Sequence, residues 1–196
     1  MDESDARPWK RKRDLPRLPR AWYQGRAWVF WTHTVDKRAT GWLDDRFHLR
    51  FRELLLHAQA REHLACPLYV LMPDHIHLIW MGCWETSDQI LAGRYLRGQL
   101  NKLLHPSRLQ KQPHDHVVRE SEREASSFGG SWNYVARNPL RAGLVDTWQA
   151  YPFLGALIPG FAGLKPAATD FFHSFWRAHS AFTERIKRLR EGESTS

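Results

Sequence analysis

Residues 72–80 read MPDHIHLIW, placing two histidines one residue apart in a run that is otherwise apolar. Successive side chains of a β-strand point to opposite faces, so His75 and His77 share one face while Ile76 and Leu78 take the other. A pair of imidazoles presented side by side either binds a divalent metal or forms a satisfied structural pair, and the spacing alone leaves both readings open. Asp74, in the Pro-Asp joint just before them, either orients a histidine from behind or bonds its own turn backbone. A second constellation lies in GGSWNYVARNPLRAGLV, residues 129–145. Ser131 is a candidate cap for a helix on which Tyr134 and Asn138, four residues apart, share a face. A phenol and a carboxamide then point the same way. Pro139 disfavours the α conformation at Asn138, so a kink or an end is expected there.

These groups need elements to hold them. AWVFWTHTV (27–35) is aromatic and β-branched, as a strand is. Residues 44–63 set Phe47, Phe51, Leu54, Leu55 and Ala58 at helical spacing behind Asp44 and Asp45. CPLYVLMP (66–73) and HIHLIWMG (75–82) are separated by so short a joint that an antiparallel hairpin is expected. SDQILAGRYLRGQLNKLLH (87–105) is a basic amphipathic helix with Ser87 as its expected cap. The order β-α-β-β-α matches a ferredoxin-like α+β fold, an antiparallel sheet with helices on one face and the histidine pair on a central strand. A fourth strand is not obvious. Residues 117–128 look helical, and His114 and His116, read as lying at the approach to that helix, would then diverge. A further helix is expected over residues 170–190.

The 196 residues are 42% hydrophobic, enough for one good core and too few for two full domains. The expected division is a flexible basic tail, residues 1–20, followed by a single domain over 21–196. In the tail, seven of the fourteen residues from Arg7 to Arg20 are Lys or Arg. A net charge of +8 and a pI near 9.9 favour a polyanionic partner, nucleic acid or an anionic membrane surface. There is no apolar run of about 18 residues and no apolar leader, so a soluble, cytoplasmic protein is expected. Cys66 and Cys83 are expected to be reduced core residues. Arg94, Arg97 and Lys102 on the second helix, and Arg119, Arg123, Arg137 and Arg141 around the tyrosine, are candidates for a phosphate track. Trp9, Trp22 and Trp28, beside basic residues, could stack on unpaired bases.

MPDHIHLIW, DHVVRESERE and YVARNPLRAGLV, in that order, resemble the REP-associated tyrosine transposases, relatives of the single-tyrosine insertion-sequence transposases of the HUH superfamily. The resemblance runs from about Leu18 to Trp176. It departs from the family pattern in the glycines of ESEREASSFGG before the tyrosine segment and in SRLQKQP (107–113), which replaces a tryptophan-bearing segment. The resemblance implies that His75 and His77 are metal ligands, that Asn138 is the third, and that Tyr134 is the nucleophile of the Y-x-x-x-N-P motif. It also implies Mg²⁺ or Mn²⁺ as cofactor, where imidazole ligands alone lean towards zinc. The activity implied is nicking and strand transfer of single-stranded DNA at a REP-type hairpin through a 5′-phosphotyrosine, by a monomer or homodimer. Such chemistry is coherent: a covalent phosphotyrosine divides one exchange into two reversible steps and conserves the bond energy. Two other readings stand beside it, a non-catalytic hairpin-binding protein and a metal-dependent phosphodiester hydrolase.

Overall fold

The structure is a computed structural model that describes residues 17–118 and 132–158. After a short 3-10 turn at Arg20–Tyr23, the elements are β1 (Trp28–Thr34), α1 (Asp45–Glu62), β2 (Leu64–Met72), β3 (His75–Gly82), α2 (Gln89–Leu103) and β4 (His114–Val117). Helical residues 132–136 then lead to α3 (Asn138–Arg141) and β5 (Leu154–Leu157). The strands form one antiparallel sheet in the order β4-β1-β3-β2-β5, so the strand carrying both histidines is central. Met72 pairs with His75 across the Pro73-Asp74 joint, which makes β2 and β3 the expected tight hairpin.

The caps account for where the helices begin. Asp44 starts α1 by accepting the Phe47 backbone N–H at 2.6 Å, and the apolar stripe anticipated from the spacing is buried from Phe47 to Ala58. At α2 the cap is Asp88, not Ser87. Its Oδ1 accepts the N–H groups of both Ile90 and Leu91, a pair of orphan donors that a carboxylate reaches from that position. The Ser87 hydroxyl instead donates to the His63 carbonyl at 2.8 Å. The other Asp88 oxygen is held by Arg20 at 2.7 Å and Gln24 at 2.9 Å, which ties Arg20 to the start of α2.

Each sheet face has its own core. Val29, Trp31, Leu71, Ile76, Leu78 and Trp80 pack against α1 and α2. On the opposite face Val70, Met72, Ile79 and Met81 pack against Trp132, Val135, Ala136, Tyr151 and Leu154. Full burial of one such aliphatic or aromatic side chain is worth about 1.5–3 kcal/mol. The two main helices thus cover the Ile76 face, and the tyrosine segment crosses the histidine face.

Residues 114–117 are a fourth strand, not obvious from the sequence, while the helix expected over 117–128 lies from residue 119 onwards outside the described residues. β4 pairs with β1 through Val29–Val117 and Thr32–His114, so His114 and His116 share a face rather than diverging. Cys66 is buried, Cys83 is partly so, and both are free; burial pushes each thiol up, Cys83 to about 12. Among the described residues no helix is long and apolar enough to cross a membrane. Ser131, Trp9 and the expected 170–190 helix lie outside the described residues.

Candidate active site

The β1–β3 register sets His77 opposite Thr32 and His75 opposite Thr34, all on the face away from α1 and α2. The two imidazoles meet through their outer nitrogens: His75 Nε2 and His77 Nε2 are 2.9 Å apart, with the rings nearly perpendicular at 88°. Each inner nitrogen has a separate partner. His75 Nδ1 lies 2.5 Å from Asp74 Oδ1, and His77 Nδ1 lies 3.0 Å from Thr32 Oγ1. A carboxylate only accepts, so His75 Nδ1 carries a proton; in the tautomer whose Nε2 is unprotonated, that atom accepts from His77. His77 then donates from Nε2, and its Nδ1 accepts from Thr32. One tautomer change at His77, with Thr32 accepting instead of donating, would turn both Nε2 lone pairs outward.

Asp74 is fixed in turn by Arg38, whose Nη1 reaches Asp74 Oδ2 at 2.8 Å, while the Val35 N–H donates to the Asp74 carbonyl at 2.9 Å. Burial raises the Asp74 carboxyl, but the hydrogen bonds from Arg38 and His75 outweigh it and hold the group below its ordinary value. Arg38 itself stands at φ 56°, in the left-handed region, next to Lys37 at φ 55°. Thr32 and Arg38 escaped the sequence reading. Thr32 sits in the alternating stretch of β1, but only the strand register shows that it faces His77. Arg38 depends on a loop conformation with no local signature.

The tyrosine segment is helical through 132–136, breaks at Arg137 (φ −87°, ψ 4°) and resumes at Asn138. Pro139 falls in the first turn of α3, where its missing N–H costs nothing. The turn is continuous enough for Arg137 N–H to bond the Asn133 carbonyl and Arg141 N–H to bond the Arg137 carbonyl, each at 3.0 Å. Tyr134, Asn138 and Arg141 therefore share one face. The Arg141 guanidinium lies 3.5 Å from the centre of the Tyr134 ring, and its Nη2 donates to Asn138 Oδ1 at 2.5 Å. Tyr134 is 61% exposed.

Arg141 also bears on the histidines. His77 is pushed down to about 3, first by burial and then by the charges of His75 and Arg141, with His114 adding to them across Thr32. One arginine thus touches the phenol ring and the amide while its charge is felt at His77.

The donor set suits a divalent cation. Two imidazoles, one backed by a carboxylate and one by a hydroxyl, form the outer-shell pattern that fixes histidine ligands. Among the described residues no three His, Cys, Asp or Glu side chains group as a metal cluster.

Other candidates are placed apart. Arg94, Arg97 and Lys102 lie on α2, across the sheet from the histidines. Arg97 is turned inward, with Nη2 bonded to the Gln110 and Lys111 carbonyls, so it joins α2 to the loop before β4 rather than offering a free phosphate contact. Tyr95, on the basic helix α2, packs against the α1–α2 core beneath Arg61. Trp28 is buried at 8% exposure and is not available for stacking on bases, whereas Trp22 is half exposed. Arg137 is exposed beside the site. Arg119 and Arg123 lie outside the described residues.

No family model and no curated protein matches the sequence. Among solved structures, one of a REP-associated tyrosine transposase bound to a REP hairpin matches over 72% of this chain and 81% of that one, at a TM-score of 0.60 and 19% identity. The fold is that of this tyrosine transposase. The shared architecture is the five-stranded antiparallel sheet with its helices, in which the histidine pair of this chain lies on the middle strand.

Proposed function

We propose that this protein nicks single-stranded DNA and transfers the cut strand through a covalent 5′-phosphotyrosine on Tyr134, at a hairpin of the REP type. The observation that carries the reading is the reach of Arg141. It joins Tyr134 to Asn138 by contact, and its charge lowers His77, which supports reading the two motifs as one site. The fold shared with a hairpin-bound transposase supports it.

In this reading His75, His77 and Asn138 hold Mg²⁺ or Mn²⁺, which when bound would polarise the scissile phosphodiester. Asp74 and Thr32 keep the two imidazoles aimed by holding their Nδ1 atoms. Tyr134 supplies the nucleophile: its Oη gives up a proton as the bond to phosphorus forms, and the 3′-oxygen leaves and takes a proton. Arg137 and Arg141 are positioned to receive backbone phosphates beside the phenol. The protein works as a monomer or homodimer, in a soluble, cytoplasmic setting.

The test is a single-stranded DNA hairpin labelled at both ends and incubated with the protein and Mn²⁺. A denaturation-resistant, slower protein band bearing the label 3′ to the cut, with a free 3′-hydroxyl on the other fragment, is the expected result. Cleavage with no adduct would identify a hydrolase, and binding without cleavage under any divalent metal would identify a hairpin-binding protein.

A further inference from the structure

Asn138 Oδ1, the oxygen assigned to the metal, is already taken. Arg141 Nη2 donates to it at 2.5 Å while the guanidinium rests on the Tyr134 ring. The other end of the amide, Nδ2, is buried and has no partner among the described residues, so the side chain is held by its oxygen alone. The guanidinium and a divalent cation repel each other at one carbonyl oxygen, so the Arg141 contact weakens the hold of that oxygen on a cation.

We infer that Arg141 is a latch that competes with the divalent metal for Asn138, and that a DNA phosphate releases it. This rests on the proposed metal site and deepens it. A guanidinium pairs with a phosphate charge to charge and bidentately, where the Asn138 amide offers it one neutral oxygen, so a strand entering beside Tyr134 draws Arg141 off Asn138. Three consequences follow from that single exchange: the amide oxygen is freed for the metal, a positive charge moves from the metal position onto the strand, and the Tyr134 ring loses its cover. Metal and DNA binding are then coupled, and linkage requires each to tighten the other by the same factor. Arg141 is a positioning residue in this account, and its effect on metal affinity has the opposite sign to that of a ligand.

The experiment measures Mn²⁺ affinity from the electron paramagnetic resonance signal of free Mn²⁺. It uses the full chain carrying Tyr134→Phe, so that no DNA is cut, with and without a single-stranded DNA hairpin. Without DNA, adding Arg141→Met should tighten Mn²⁺ binding about tenfold, and the hairpin should tighten it severalfold in the Arg141 protein but hardly at all in Arg141→Met. Adding Asn138→Ala to Arg141→Met should remove most of the gain. Unchanged or weaker Mn²⁺ binding by Arg141→Met, in a protein whose circular dichroism is unaltered, overturns the latch. His77→Ala separates the two levels: if it weakens Mn²⁺ binding while Arg141→Met does nothing, only the latch fails, and if it leaves binding unchanged, the metal site fails and the latch with it.

Discussion

His77 Nδ1 lies 3.0 Å from the hydroxyl of Thr32, the residue directly opposite it on β1. This contact is the counterpart of the Asp74–His75 pair and fixes the second imidazole. Thr32→Val keeps the shape and the strand preference but removes the hydroxyl. It should weaken Mn²⁺ binding by at least about tenfold with no loss of fold, since outer-shell partners of histidine ligands are typically worth 10- to 100-fold in affinity. Thr32→Ser should restore most of it. A Mn²⁺ titration of the three proteins decides, and equal affinities would remove Thr32 from the site.

The two faces of β3 should respond differently to truncation. Leu78, 1% exposed between α1 and α2, should cost about 2–5 kcal/mol when changed to alanine, by lost burial and a residual cavity. His77→Ala should cost clearly less stability while abolishing metal binding. Urea unfolding of both variants tests the division, and similar stability losses would place His77 in the structural core.

Buried His33 sets an acid limit on the fold. It lies on the α1–α2 side of β1, stacked on Trp31, with Nδ1 3.4 Å from Arg97. Burial, then the charges of Arg97, Arg17 and His77, push it down to about 3 from an ordinary 6.5. Between those values the unfolded chain binds a proton that the native protein does not. The contribution of His33 is therefore full above pH 6.5, falls by up to about 1.4 kcal/mol per pH unit as the pH drops towards 3, and is constant below. Urea midpoints measured from pH 7 to pH 4 should decline more steeply in the wild type than in His33→Phe. Parallel curves would show that His33 is not held neutral.

What could be read in the sequence was what repeats locally. The alternation at His75 and His77, the stripe from Phe47 to Ala58 and the Pro73-Asp74 joint all carry their geometry within a few residues, and each is found in the fold. β4 does not: HDHV has only Val117 fully buried, and its strand character comes from pairing with β1, far away in the chain. The cap of α2 was missed by one residue because Ser87 and Asp88 are both good caps, and a contact from distant Arg20 accompanies the choice. Tyr134 and Asn138 were legible as neighbours on a helix. That Arg141 would occupy Asn138 Oδ1 was not, because the i, i+3 spacing puts the two side chains on one face and leaves the contact itself to side-chain geometry.

The most direct test of the account asks which atom carries the DNA. Wild-type protein is incubated with the labelled hairpin and Mn²⁺, trypsinised, and mapped by mass spectrometry, alongside Tyr134→Phe, which loses only the phenolic oxygen. The account predicts a 5′-phosphonucleotide on the peptide containing Tyr134, and a Tyr134→Phe protein that binds the hairpin as tightly as wild type but forms neither nick nor adduct. Nicking by Tyr134→Phe at the wild-type rate, or an adduct on Tyr95 or any other residue, would contradict it.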